Sequence, residues 1–344
     1  RLTTLDGTPW ECCPRSWLKR GLDQLEHDHG LRLFSAFEHE FHYSGVPEGG
    51  GTAYALDRFR QQGDFLSRLI GALEAGGVAP DMVMPEYGAG QFEVTNDPAL
   101  GLASADRAVI LREITRSVAQ AAGQRACFAP VMGAGKVGNG VHVHFSLQDT
   151  DGTPCSHDPK GPGGMSAPMA AFCAGILRQM PDILPLTAAS AISYERLQPN
   201  RWSAAYNNLS AQDREAGLRI CPVTGDVARG FNVEYRASDA SANPYLLLGA
   251  LVWAGLDGLR HGLAPTITQG DPSEVPPEEA RARGLERLPR SLGAALDRFE
   301  TSEAVLEWMG AEFRDAYVMN KRAELSLLEG LDLDAQVAKY VDCF

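Results

Sequence analysis

The sequence predicts an α+β chain, on two observations. Stretches of strand period carry paired charges, and stretches of helical period fall between them. Leu31 to Tyr43 and Val141 to Leu147 alternate as strands do, so Glu38 and Glu40 share one face, as do His142 and His144. Pro14 to Glu26 repeats Trp17, Leu18, Leu22 and Leu25 at helical spacing, behind a proline that suits a helix start.

The elements follow in order. Asp6 to Trp10 reads as a turn, Phe65 to Ala75 as a helix, Tyr87 to Asp97 as turn plus strand, and Ser104 to Ala122 as a long helix. Cys127 to Met132 and Val141 to Leu147 are expected to pair around a glycine-rich turn. Asp149 to Gly164, rich in Asp, Gly, Pro and Ser, reads as a surface loop. Met169 to Ile183 reads as a helix, and Ser193 to Gly217 as a long polar, irregular segment of the kind that carries function. Leu218 to Val223 and Asn232 to Ala237 read as strands, Pro244 to Leu263 as a buried helix, Thr266 to Arg283 as a Pro-rich acidic loop, and Leu292 to Leu331 as mostly helical.

At 344 residues the chain can bury a large core, and 44% apolar with 22% charged residues is ordinary for a globular protein. A net charge of -13 argues against nucleic-acid or anionic-membrane partners, which attract basic surfaces. Seven cysteines without a Cys-x-x-Cys spacing fit a reduced, cytoplasmic chain rather than a disulfide framework. The longest apolar run, Tyr245 to Leu256, is too short to span a bilayer. No signal peptide is visible, and a start at Arg1 rather than Met is expected to reflect a trimmed amino terminus.

Four segments concentrate the chemistry: Phe37-Glu-His-Glu-Phe41, Pro85-Glu-Tyr-Gly-Ala-Gly-Gln-Phe-Glu93, Gly138-Asn-Gly-Val-His-Val-His-Phe-Ser146 and Val233-Glu-Tyr-Arg236. Each sets carboxylates or imidazoles in an apolar stretch, where an unpaired charge is costly. Singly they have bland readings: a solvated strand face for Glu38 and Glu40, core histidines for His142 and His144, a strand salt bridge for Glu234 and Arg236. Together they point to a site for two or three hard divalent cations, Mg²⁺ or Mn²⁺, of the kind that serves phosphoryl chemistry. Gly133 to Gly138 matches G-x-G-x-x-G, but a strand pattern follows it, where a dinucleotide fingerprint opens a helix.

These motifs, with Ser238-Asp-Ala-Ser-Ala-Asn-Pro-Tyr245 and Ala250-Leu-x-x-Ala-Gly-Leu-Asp-Gly258, make the chain from about Arg15 resemble the catalytic domain of glutamine synthetase and its γ-glutamyl-amine ligase relatives. The resemblance implies a curved, mainly antiparallel sheet of about six strands, a half-barrel flanked by helices. It implies that Glu40, Glu86 and Glu93 hold the metal nearest the amino acid, and Glu38, His142 and Glu234 the metal bridging the ATP phosphates. His144, Ser146 and Arg219 match ATP-contacting positions. Gly138, Arg196, Trp202, Arg214 and Arg236 match the substrate side, and Arg214, Arg236 and Glu234 the catalytic set. The implied reaction uses ATP to phosphorylate the γ-carboxylate of glutamate, which an amine then converts to an amide. The resemblance further implies a hexameric ring, often doubled, whose sites are completed by a neighbour's amino-terminal β-grasp domain. Residues 1–13 are read as a remnant or linker of that domain and 14–344 as the catalytic domain.

Three departures bear on the acceptor. Trp202 occupies the position of a flap glutamate that binds and deprotonates ammonium in glutamine synthetases. Val137 and Asn139 replace Asn-Gly-Ser residues, and Asp213-Arg-Glu-Ala216 replaces Asn-Arg-Ser-Ala. A larger organic amine is therefore expected, with Trp202 as an apolar or cation–π wall; ammonia is the alternative. Ser273 stands in the region that carries the adenylylated tyrosine of some bacterial enzymes, so that control is expected to be absent. A catalytically inactive relative would have lost metal ligands, whereas all six are present; a metallohydrolase would not need ATP.

Overall fold

A computed structural model describes residues 2–46 and 53–344. Among these, nine strands form one sheet: β1 (Leu31–Tyr43), β2 (Pro80–Pro85), β3 (Gln91–Asn96), β4 (Ala99–Leu100), β5 (Ala126–Cys127), β6 (Val141–Asp149), β7 (Leu209–Ala211), β8 (Leu218–Ile220) and β9 (Val233–Tyr235). The order is β2-β3-β1-β6-β9-β8-β7, with the short β4 and β5 also on β1. Every pairing is antiparallel except β7 with β8. The fold is α+β, a large open sheet flanked by helices. The count exceeds the six strands the family resemblance implied, partly because β4 and β5 are two-residue strands.

Alternation decides the two faces of β1. Phe37, His39 and Phe41 are fully buried, with His39 stacked on Phe37 and edge-on to Phe128. Glu38, Glu40 and His42 point the other way, toward the site, and remain partly accessible. Burial holds neutral His39 with its pKa down at about 3, so it serves the core as a polar ring without charge.

Helices carry the apolar bulk. Pro14–His29, Leu102–Ala121, Ala167–Thr187 and Pro244–His261 pack against each other and the sheet, with Trp17 stacked on Trp253 and edge-on to Phe313. Asn243 caps the last of these, its side chain accepting from the N–H groups of Tyr245 and Leu246. None of the described helices is long and apolar enough to cross a membrane.

Two expectations need correction, and one strand went unread. Cys127 to Met132 does not pair with Val141 to Leu147: β5 is confined to Ala126–Cys127 and joins β1 at His42 and Tyr43, while β6 joins β1 from Leu31 to His39. Both lie on the same edge of β1, and the intervening glycine-rich loop closes on itself only through a single antiparallel bridge, Val131 to Gly138, before Val137 and Gly138 reach the cavity. Thr266 to Arg283 is not all loop, since Pro277–Ala282 is helical. Pro80–Pro85, unassigned from the sequence, is a strand against β3.

Candidate active site

The register of the sheet lays the charged residues in a row. Glu40 stands opposite Glu93 across β1 and β3, Glu38 opposite His142 across β1 and β6, His144 opposite Glu234 across β6 and β9, and Glu234 opposite Arg219 across β9 and β8. Directly opposed side chains on one face lie within contact distance, so two like charges there repel. Glu86 joins the row from the turn before β3, closed by its N–H donating to the Gln91 carbonyl at 2.9 Å. Arg58 holds that turn from below, donating to the carbonyls of Glu86 at 2.5 Å and Gly88 at 2.8 Å.

Two ligand groups result. Oxygens of Glu40, Glu86 and Glu93 lie within 4.8 Å of one another, and so do donor atoms of Glu38, His142 and Glu234. The first is all carboxylate. Burial pushes Glu40 up to about 7 against the pull of Arg196, and raises Glu86. Glu93 is raised well above the usual range by burial, with the charges of Glu38, Glu40, Glu86 and Glu234 adding to it. Three hard oxygen donors that repel one another form a set suited to a divalent cation such as Mg²⁺ or Mn²⁺, which would displace their protons.

The second group is balanced internally. His142 Nδ1 lies 3.2 Å from Glu234 Oε1 and 3.5 Å from Glu38 Oε2. Burial and Arg236 bring His142 down to about 4, leaving a neutral ring with a lone pair to offer. Burial alone would raise Glu38 and Glu234, but His144 and His142 hold Glu38 well below the usual range, and His142, Arg236 and His144 hold Glu234 below it. His144 Nε2 lies 3.0 Å from Glu38 Oε1, yet without the alignment of a hydrogen bond, so the contact is one of charge. Burial works against charge on His144, but Glu38 prevails and its pKa stands well above the usual value. Cys221 completes a third group with His144 and Glu234 that the sequence reading did not include.

Five arginines line the same cavity, of about 390 Å³: Arg196, Arg201, Arg214, Arg219 and Arg236. Arg219 Nε lies 2.6 Å from Glu234 Oε2, and Arg236 pairs with Glu234 Oε1. Arg236 also donates to the carbonyls of Arg214 at 3.0 Å and Trp202 at 2.9 Å, which ties two loops to β9. Gly138 and Gly140 let Arg196 reach the floor. A Cβ at Gly138 would stand 2.9 Å from its Cγ, and one at Gly140 2.5 Å from its guanidinium.

Of the expected residues, the structure brings Glu38, Glu40, Glu86, Glu93, His142, Glu234, Gly138, Arg196, Trp202, Arg214, Arg219 and Arg236 to this one cavity. His144 lies beside it through its contact with Glu38. Ser146, two residues further along β6, does not line the cavity.

Several contributors were not singled out from the sequence. Buried Gln91 donates to the Gly138 carbonyl and to Asn139 Oδ1, both at 2.9 Å, and to Glu40 at 3.3 Å. Asn139 in turn donates to the Ala129 carbonyl at 2.7 Å and meets His42 Nδ1 at 3.1 Å. Gln91 belongs to the Gly-x-Gly-Gln motif, which was the available signal. Tyr54, Met82, Met84, Tyr87 and Arg201 also line the cavity, and no spacing marked them, whereas Val137 beside them was noted as a departure from the family pattern.

Residues 11–340 match the family model described as glutamine synthetase, catalytic domain. The γ-glutamylpolyamine synthetase GlnA3 of Streptomyces coelicolor is 36% identical over 98% of this chain and 74% of its own. The glutamine synthetase of Pyrococcus horikoshii is 32% identical over 93% and 72% respectively. A crystal structure of a novel glutamine synthase homologue superposes with a TM-score of 0.90 at 41% identity, covering 98% of this chain and 77% of that one. With the row of carboxylates and imidazoles and the arginines among them in place, these likenesses lead to one conclusion: the chain belongs to the glutamine synthetase family and is an ATP-dependent ligase.

Proposed function

We propose that the chain uses ATP to phosphorylate the γ-carboxylate of glutamate and joins it to an organic amine larger than ammonia. One arrangement carries the reading: two groups of potential ligands side by side in a cavity that five arginines also line, two of them paired with Glu234. Glu40, Glu86 and Glu93 would hold one divalent cation and Glu38, His142 and Glu234 another, and bound cations there supply the charge neutralisation that phosphoryl transfer requires.

The chain's own residues do the rest. Arg219 and Arg236, held by Glu234, offer fixed donors to phosphate oxygens as charge shifts between them, and Arg214 adds a third guanidinium. His144, Ser146 and Arg219 are assigned to the nucleotide, Arg196 and Gly138 to glutamate, and Arg236 to the carboxylate as it becomes an acyl phosphate. Glu234, fixed by Arg219 and Arg236, holds those arginines at the place where the phosphoryl group passes. Trp202 carries no base and no charge to pair with ammonium, which favours an acceptor that brings carbon to an aromatic surface. The relatives include enzymes named for a polyamine and for glutamine, and Trp202 tips the balance to the former kind.

Residues 14–344 are read as the catalytic unit, 1–13 as its connection to a further domain, and the working assembly as a hexameric or doubled ring in the cytoplasm. Phosphate release with ATP, glutamate and Mg²⁺ or Mn²⁺ across a panel of amines tests the reaction. The expected result is a higher kcat/KM for an organic amine than for ammonia. Ammonia as the best acceptor would overturn the choice of amine, and no glutamate-dependent release with any acceptor would overturn the ligase reading.

A further inference from the structure

We propose that Tyr54, Tyr87 and Trp202 form a hydrocarbon-binding wall that selects primary alkylamines by the length of their carbon chain. The proposal rests on the γ-glutamyl-amine ligase reading above and names the substrate class of that same site.

The three rings are contiguous. Tyr87 and Trp202 lie 4.4 Å apart between centroids at 35°, and Tyr54 meets Tyr87 edge-on at 5.3 Å and 83°. All three line the cavity that holds the ligand row, yet each stays about half exposed, at 45%, 47% and 49%. Large rings packed on one another normally bury themselves; a half-exposed trio on a concave wall leaves apolar surface for something else to cover. Met82, Met84 and Val137 extend the same lining, so the wall is apolar beyond the rings.

The backbone beneath this wall is strained. Among the described residues, four that are not glycine have positive φ, and three of them are here: Tyr54 at 59°, Asn200 at 61° and Trp202 at 52°. Bulky residues avoid that region, and where strain persists it is held by surrounding contacts. Here the contacts are visible. Glu215 accepts from the N–H groups of Asn200 and Trp202, and Arg236 donates to the Trp202 carbonyl. The loop is thus fixed from both sides in a conformation that presents the indole to the cavity.

An amine whose nitrogen reaches the acyl phosphate in the cavity leaves its carbon chain on the rings. Methylenes gain by leaving water for an aromatic surface, so each added one raises affinity until the wall is covered. The shared chemistry is a run of methylenes behind a primary amine. A monoamine and an α,ω-diamine both supply it, and the rings can also face the second ammonium of the latter.

The test is a length series on the full-length enzyme: ammonia, then methylamine to hexylamine, and in parallel the α,ω-diamines from two to six carbons. With ATP, glutamate and Mg²⁺ saturating, kcat/KM is expected to rise roughly two- to fourfold per methylene over the first carbons. Trp202→Ala, Tyr87→Ala and Tyr54→Ala are expected to flatten that slope, and Trp202→Phe to keep most of it, with melting curves verifying that each variant folds. Whichever series rises more steeply identifies the source of the chain. Glutamate-dependent phosphate release that is indifferent to chain length in the unmodified enzyme would overturn the wall and leave the ligase reading standing. No release with any acceptor, hydroxylamine included, would overturn both.

Discussion

Glu215 grips the backbone of Trp202. Its Oε1 accepts the Trp202 N–H at 2.6 Å while Oε2 accepts that of Asn200 at 2.9 Å. Glu215 is one of the positions where the chain departs from the family pattern, and Trp202 is another. The two departures are therefore one device: the acid holds the loop that the indole ends. Hydrogen bonds to a charged acceptor contribute about 1.5–3 kcal/mol each. Glu215→Gln keeps the shape but weakens both, so it is expected to raise KM for the amine by about tenfold while KM for ATP changes little. Equal loss for both substrates would count against the link.

Trp202→Glu replaces the indole with the carboxylate that the family resemblance puts at this position. The expected outcome is a shift in kcat/KM from organic amines toward ammonia of about tenfold or more, since a methylene or two of apolar contact is exchanged for an ion pair with ammonium. Competition between ammonia and the best organic amine, read by product mass, measures it. A variant that loses both acceptors in proportion would show that Trp202 acts on the loop rather than on the acceptor.

The carboxylate trio gives a pH-dependent stability of definite sign. Burial raises Glu40 from 4.5 to about 7 in the folded chain. A carboxyl that binds its proton more tightly when folded stabilises fully below its unfolded pKa, and that stability is lost as pH rises through the folded value. In EDTA the melting temperature is therefore expected to fall between about pH 4.5 and 7, by a contribution on the order of a few kcal/mol, and Glu40→Gln to lessen that fall. Saturating Mn²⁺ or Mg²⁺ is expected to restore stability at neutral pH by pairing the carboxylates. A melting temperature independent of both metal and pH would refute this account.

Gln91→Ala tests the network beneath the site. Its amide donates to the Gly138 carbonyl and Asn139, and its oxygen accepts the Gly88 N–H at 2.8 Å. Removing it strands several buried partners, with an expected loss of about 2–3 kcal/mol in denaturant unfolding. Because Gly138 borders Arg196, KM for glutamate is expected to rise as well.

Much of the site was legible because strand period is local. The i, i+2 spacing of Glu38 with Glu40, and of His142 with His144, already placed each pair on one face. Register was not legible. That Glu40 faces Glu93 and Glu38 faces His142 depends on which strands neighbour β1 and where they stop. The misplaced strand pair around the glycine-rich turn shows the same limit. Two apolar runs joined by glycines satisfy every local rule for a hairpin, yet each found a different stretch of β1. Between them the loop closes at Val131 and Gly138 and is tied to β1 by the Gly140 N–H donating to Glu40 at 2.6 Å.

The sequence by itself determined that hard oxygen and imidazole donors share strand faces, and its family resemblance added the arginines expected to meet phosphate and a tryptophan where an acid was expected. Residue type and spacing carry the first of these because a side chain's chemistry and the pleat of a strand are local properties. Only the tertiary structure decided what surrounds the acceptor. Tyr54, Tyr87 and Trp202 come from three separate segments and meet because Glu215 and Arg236 hold a strained loop against its intrinsic preference. Backbone strain sustained by distant hydrogen bonds leaves no period in the sequence, so Trp202 was open to reading and the rings that join it were not.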